Sequence, residues 1–395
     1  MKQLCSVIML LSIVGLTSCM HDIEVREKPV NDVTDLQVPA DFSWTMSSDI
    51  LLSISSPVKT TVEVFTTENC EKGSRLAVLQ APVQDMPLSV ANSVKGLYVR
   101  YTKKDGTKAV MSTGTVTRAA TDLTVKLPEE AGEETISGGL HMNYPSQWYG
   151  TLLFEDNWPV KGDYDLNDIA AHYNIQLHLT SDKMVEAMIV SVKLTALGGT
   201  YPYQLCMRAN NLKHSDAEAE NYGSSSTGTY KVLSTGDEPF MVAYDWPGLK
   251  GSNGGAFYNT EEESLAASGS IDRNQVSFVI YMNELPISAL PHDSFDFFIK
   301  RTDNNPTEIH LKGYEPTDAF KAGYAEEEIN MGSAYYSTKD NFVWGIKVPV
   351  TIAHPKERIS ILDAYPDFAG WVTSGGVNNQ DWYRNDVKEN CVPLN

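Results

Sequence analysis

Cysteine is scarce in this sequence, five among 395 residues, and none stands in a CxxC or other metal-ligand spacing. That argues against a disulfide framework or a thiolate zinc site. Basic residues are also short, 31 against 51 acidic ones, for a formal net charge of −20. Phosphate backbones repel such a chain, so no nucleic-acid partner is expected, nor a polybasic membrane contact. HExxH, GxSxG and a phosphate-cradling glycine loop are missing. Their absence removes the usual sequence grounds for a zinc protease, a serine hydrolase or a nucleotide enzyme. Beyond the N-terminus no run reaches the about 20 apolar residues that a membrane-spanning helix needs.

What is present begins with MKQLCSVIMLLSIVGLTSC. Lys2, the apolar run from Val7 to Leu16, and Leu16-Thr17-Ser18-Cys19 read as a secretory signal (1–18) ending in a lipobox, with Cys19 as the lipidated residue. Two or three acyl chains would anchor the protein stably to a membrane. The expected location is the outer membrane of a Gram-negative envelope, on its periplasmic or cell-surface side. Cleavage removes one charged residue, Lys2, and leaves a net charge of −21. Cys70, Cys206 and Cys391 then remain as free buried thiols, or as one bridge plus a spare.

Residues 19–38 are polar, without apolar periodicity, and read as a tether. From 39 to 118 the pattern alternates: Thr61 to Phe65 and Leu97 to Thr102 predict strands, and Lys103-Lys104-Asp105-Gly106 predicts a hairpin turn. This segment reads as a small Ig-like antiparallel β-sandwich. Residues 119–139 read as a linker. A larger antiparallel β-sandwich domain, 140–395, follows, with strands at Ile169–Leu179, Met184–Leu197, Gln275–Asn283, Phe295–Lys300 and Asn341–Ile352. Met184 to Leu194 is apolar on both alternating faces, which predicts a central strand covered on each side. Asn221 to Thr229 and Pro247 to Ser270 read as exposed insertions. A short C-terminal helix is expected after Asp363, with Asp363 as its cap, Phe368, Trp371 and Val372 on one face, and Gly375-Gly376 stopping it. The fold class is mainly β.

The stretch GDYDLNDI, residues 162–169, carries the densest chemistry. An extended backbone there points Asp163, Asp165 and Asn167 to one side and Tyr164, Leu166 and Ile169 to the core. Carboxylates held this close repel one another unless a proton or cation offsets their charge. All the donors are oxygens, which suits Ca²⁺ with its about 6 to 8 oxygen ligands. Asp156, Asp163, Asp165, Asn167 and Asp168 are the candidate ligands, and Glu155 is a further completing one. An EF-hand is excluded, because Asp168 and Asn174 stand where that loop needs Gly and Glu. A metal-free turn capped by its own Asp and Asn side chains is the plain alternative, and a catalytic carboxylate pair of the glycosidase type is the third. His172 and His178 read as ordinary strand histidines. Trp158, Trp344, Trp371 and Trp382 read as packing residues rather than a sugar-stacking platform.

Three ordered motifs carry a family likeness: FEDNWPVKGDYDLND (154–168), HLKGYEPT (310–317) and AYPDFAGWVTSGGVNNQDWY (364–383). Together they resemble the LruC-domain lipoproteins, from about residue 140 to the C-terminus. The resemblance implies an exported, lipid-anchored protein with a C-terminal β domain of unknown function, and no catalytic residue is carried over from it. The expectation is therefore a non-enzymatic envelope protein with a Ca²⁺-stabilised loop, recognising a glycan or an envelope protein. A polysaccharide-active hydrolase and a structural subunit of a surface assembly are the alternatives.

Overall fold

Two long apolar strands form the spine of the molecule. The computed structural model describes residues 32–116, 122–135, 138–223, 227–249, 257–305, 307–321 and 334–394; the signal segment and Cys19 lie outside them. The N-terminal strands are β1 (Ser47–Ser55), β2 (Thr60–Phe65), β3 (Arg75–Ala81), β4 (Val83–Ala91), β5 (Gly96–Thr102), β6 (Lys108–Thr115) and β7 (Asp122–Lys126). They are followed by β8 (Leu140–Tyr144), β9 (Gly150–Phe154), β10 (Ile169–Leu179), β11 (Met184–Leu197), β12 (Tyr203–Lys213), β13 (Ala217–Asn221), β14 (Thr229–Val232) and β15 (Pro239–Asp245). The remaining elements are β16 (Gln275–Pro286), β17 (Phe295–Arg301), β18 (Glu308–His310), α1 (Asp318–Lys321), β19 (Gly345–Val348), α2 (Ile361–Ala364) and α3 (Phe368–Thr373).

β10 and β11 pair antiparallel from Ile169↔Leu197 to Leu179↔Val185. β11 lies between β10 and β16 in an eleven-stranded sheet, with Met188, Val190, Val192 and Leu194 buried in the core while Ile189 and Lys193 on its other face are only partly covered. That sheet runs β13-β16-β11-β10-β8-β3-β2-β5-β6, with β9 on β10 and β19 on β9. A three-stranded sheet, β4-β1-β7, and a five-stranded sheet, β14-β15-β12-β17-β18, complete the strands among the described residues. Side chains from all three, such as Leu52, Val190 and Phe297, meet in one apolar core. The protein is mainly β and built of packed sheets, as its alternation predicts.

Several local details differ from the sequence reading. In the N-terminal part β1 pairs antiparallel with β4 but parallel with β7. β7 falls inside the expected linker, where Leu123 and Val125 are buried between exposed Asp122, Thr124 and Lys126; that period-2 pattern was hidden by its charged flanks. β2, β3, β5 and β6 belong to the large sheet, which continues across the expected boundary through Ala77↔Met142 and Val78↔His141. The strand expected over 341–352 is ordered as a ladder only at Gly345–Val348. Ser360, not Asp363, caps α2, its side chain accepting from the Leu362 amide, and Asp363 lies inside α2; α3, which carries Phe368, Trp371 and Val372, starts after Asp367 without a side-chain cap. The end of the expected tether packs too: Val33 and Leu36 are buried.

The C-terminal motif is a second apolar core. Phe42 meets Trp371 edge-on at 5.0 Å, Phe368 meets Trp382 at 4.9 Å, and Trp371 and Trp382 lie 5.8 Å apart. Trp158, Trp344, Trp371 and Trp382 are all buried, so they pack. Cys70, Cys206 and Cys391 are free and buried.

The 310–317 motif also acquires a reason. His310 is wholly buried, its Nδ1 2.8 Å from Asp296 Oδ2 and its Nε2 3.3 Å from Glu308 Oε2. Arg208 reaches the same Asp296 oxygen at 2.9 Å, and the Thr317 amide and hydroxyl donate to Glu308 at 3.0 and 2.8 Å. Lys312 Nζ donates to Phe42 O at 2.8 Å and to Asn341 Oδ1 at 2.6 Å, clamping the N-terminal segment to the C-terminal core.

Candidate metal centre

Strand β9 ends at Phe154 and delivers Glu155 and Asp156 to its exit, while β10 re-enters opposite it at Ile169↔Phe154. The connection folds back over its own start. It does so without extended geometry: Gly162, Tyr164 and Leu166 take left-handed φ values of 71°, 61° and 56°. For the two non-glycines this conformation costs about 1–2 kcal/mol each. Burial offsets it, since both side chains are sealed in the core and Tyr164 Oη donates to Val343 O at 2.7 Å. The expected segregation of Tyr164 and Leu166 from the acids therefore holds, but a left-handed kink at alternate residues produces it, not a strand.

This kink sets Asp163 and Asp165 beside Glu155. One oxygen from each lies within 4.8 Å of the others, with Glu155 and Asp165 buried and Asp163 exposed. Glu155 Oε1 accepts the Leu166 amide at 2.6 Å, while Oε2 is buried without a hydrogen-bond partner. Asp165 accepts the Asn167 amide at 3.3 Å and the Arg358 amide at 2.7 Å. Asn167 is fully buried; its Nδ2 donates to Pro355 O at 3.2 Å and its Oδ1 is unpartnered. Asp156 and Asp168 form an adjoining pair: Asp168 Oδ2 accepts the Asp156 amide at 2.6 Å, and Asp156 Oδ2 accepts the Tyr201 amide at 2.8 Å. Of the five residues singled out from sequence, the structure thus joins Asp163 and Asp165 to Glu155 and sets Asp156, Asn167 and Asp168 around them.

Sequence reasoning does not find Glu357, whose Oε2 is buried and unpartnered as well. It is held by its amide on Thr260 O, a residue of the segment read as an exposed insertion; Asn259 and Thr260 are in fact fully buried. Nothing in the local pattern around Lys356-Glu357-Arg358 marks it. Gly198 and Gly199 were missed too. A Cβ at Gly198 would stand 2.4 Å from Asn167 Oδ1 and 3.0 Å from Glu357 Oε2, and one at Gly199 would stand 2.4 Å from Asp156 Oδ2.

Six carboxylates share this region, and among the described residues none of them forms an ion pair with Lys, Arg or His. Burial, then the charges of Asp168 and Asp165, pushes Glu155 well above the usual carboxylate range. Burial and Asp163 push both Asp165 and Glu357 up to about 7. Burial and Asp156 push Asp168 well up. Such a set is costly to ionise unless positive charge enters it. Donors that are all oxygens, several with unused lone pairs, match a hard cation such as Ca²⁺.

Among curated proteins no relative matches the chain. The crystal structure of a Putative lipoprotein from Bacteroides ovatus is similar in fold: TM-score 0.64, 23% sequence identity, covering 85% of this chain and 100% of that one. A family model described as Domain of unknown function (DUF4842) matches residues 183–383. The acidic loop lies just before that match and Glu357 within it. The chain belongs to the DUF4842 family, a domain of unknown function.

Proposed function

We propose that this protein is a lipid-anchored outer-membrane protein of the non-enzymatic, binding kind, with an acidic loop built around a Ca²⁺ ion. The observation that carries the metal is the convergence of Glu155, Asp163 and Asp165 oxygens within 4.8 Å, beside a second fact, that Glu155 Oε2 is buried without a partner. Asn167 and Glu357 are the further oxygen donors, and Asp156 and Asp168 brace the loop from its other side. The ion would supply the positive charge that the buried carboxylates lack, tying β9, the loop and the segment at 357–358 together. The signal and lipobox at Cys19, the LruC-like motifs and the likeness to the Bacteroides ovatus protein support the envelope setting. A glycan or an envelope protein is the partner class. The geometry favours a metal over catalysis, because Glu155 is sealed from solvent, whereas a glycosidase pair must face a substrate across an open cleft.

Thermal unfolding with Ca²⁺ and with chelator tests the metal. Ligand binding to the native state alone stabilises it by about 2.7 kcal/mol at a hundredfold excess over Kd, so the melting point rises with free Ca²⁺. The response disappears in Asp163→Ala combined with Asp165→Ala. Identical melting in Ca²⁺ and chelator overturns the reading. A glycan array and an envelope pull-down, each with and without Ca²⁺, test the partner.

A further inference from the structure

Far from the acidic loop in sequence, β1 and β4 meet β19 and the turn before β17 around a cavity of about 140 Å³. Its lining includes Asp49, Ser89, His292, Asp293, Tyr314 and Lys347. Lys347 projects from β19 and is only partly buried. Its ammonium has three donors, yet its one hydrogen bond among the described residues is a long 3.4 Å contact to His292 O, and no carboxylate there pairs with it. Asp49 and Asp293 are exposed and so stand on the solvent side of the same cavity. Opposite charges therefore share one small space without meeting.

The walls are held by further hydrogen bonds. His292 is buried and held at both nitrogens, Nδ1 3.3 Å from Ser89 Oγ and Nε2 3.0 Å from Tyr173 Oη. Tyr314 Oη donates to Asp293 O at 2.8 Å, fixing the turn that carries Asp293. Burial brings the Lys347 ammonium down to about 8, and burial together with Asp293 raises Asp49. Each shift comes first from burial, which the opposite charge across the cavity offsets only in part. A neutral polyol would hydrogen-bond to them but offset neither charge. A ligand with a negative end and a positive end offsets both. The volume is below the range of about 300–1,000 Å³ typical of sites for drug-sized molecules, so the ligand is small.

We propose that this cavity binds a small zwitterion, an α-amino acid or the free end of a dipeptide, with its carboxylate on Lys347 and its ammonium between Asp49 and Asp293. Nothing in this site depends on the acidic loop or its metal.

Calorimetric titration of the full chain with glycine, L-alanine, D-alanine and glycylglycine tests it, with N-acetylglycine, glycinamide and methyl glucoside as controls. At least one zwitterion should bind. Blocking its amine or its carboxylate should weaken binding by about tenfold or more, as should Asp49→Asn and Lys347→Met. Asp49 is exposed, so its variant keeps the test valid should Lys347→Met fail to fold. Absence of binding by every zwitterion overturns the proposal. So does binding that survives Asp49→Asn unchanged, or methyl glucoside binding as tightly as the best zwitterion.

Discussion

The backbone amide of Arg358 donates to Asp165 Oδ2 at 2.7 Å, joining residues 193 positions apart. This bond places Glu357 at the edge of the acidic loop, where Asp163 is the charge that most raises it. Glu357→Gln keeps an oxygen there but removes a charge. Ca²⁺ affinity measured by calorimetry should fall by about tenfold, one lost charge–charge contact being worth roughly 1–2 kcal/mol in a partly solvated site. An unchanged Kd would remove Glu357 from the site.

Glycine is required where the acidic oxygens crowd the backbone. Gly162 has a φ of 71°, and a Cβ on it would stand 2.4 Å from Glu155 Oε2. Gly162→Ala should cost about 2–4 kcal/mol, the left-handed penalty and overpacking together. Gly198→Ala meets only the steric part and should cost about 1–3 kcal/mol. Urea unfolding of the two variants measures both, and a neutral Gly162→Ala would contradict the described loop.

A pH dependence follows from His310 between Asp296 and Glu308, with Arg208, Lys300 and Tyr336 around them. The two carboxylates raise His310 above its ordinary 6.5, in spite of burial. Its contribution is therefore complete below about pH 6.5 and is lost as pH rises through the folded-state value. Glu308 is lowered from 4.5 by hydrogen bonds and charge from His310, against its burial; its contribution is present above about 4.5 and lost as pH falls further. His172 and His354, held down to about 4 by burial, act oppositely to His310, and their contribution is lost as pH falls below about 6.5. The difference in unfolding free energy between the native chain and His310→Gln isolates the cluster. It should be largest between about pH 4.5 and 6.5 and shrink on the alkaline side; a difference that grows with pH would contradict a charged His310.

Lys312→Met keeps the stem but removes two hydrogen bonds from an ammonium to Phe42 O and Asn341 Oδ1. The expected loss is about 1.5–3 kcal/mol, with faster proteolysis before residue 46. Limited proteolysis followed by mass spectrometry reads this out, and an unchanged cleavage rate would show that the clamp is dispensable.

Much of the architecture was legible because long alternating strands announce themselves. Ile169–Leu179 and Met184–Leu197 were read with the bounds they have, since unbroken runs of eleven or more strand-forming residues leave little choice. β7 was missed because five residues with polar flanks give too short a pattern. At the candidate site, the acids at 163 and 165 and their neighbour Glu155 were visible as composition. The left-handed backbone that gathers them was not, because Tyr164 and Leu166 adopt it only through burial in a core assembled from distant residues. Glu357, Gly198 and Gly199 arrive by tertiary contact, which no local spacing encodes.

The clamp formed by Lys312 and Asn341 has a mechanical consequence. Asn341 Nδ2 holds Pro39 O at 2.6 Å and Phe42 O at 3.0 Å, and Trp44 Nε1 holds Asn341 O at 2.8 Å. A pull on the chain at residue 32 therefore meets the C-terminal aromatic core before it reaches β1. Tension from that end loads the tryptophan cluster and bypasses the N-terminal strands, so the part of the molecule last in sequence is first to bear force.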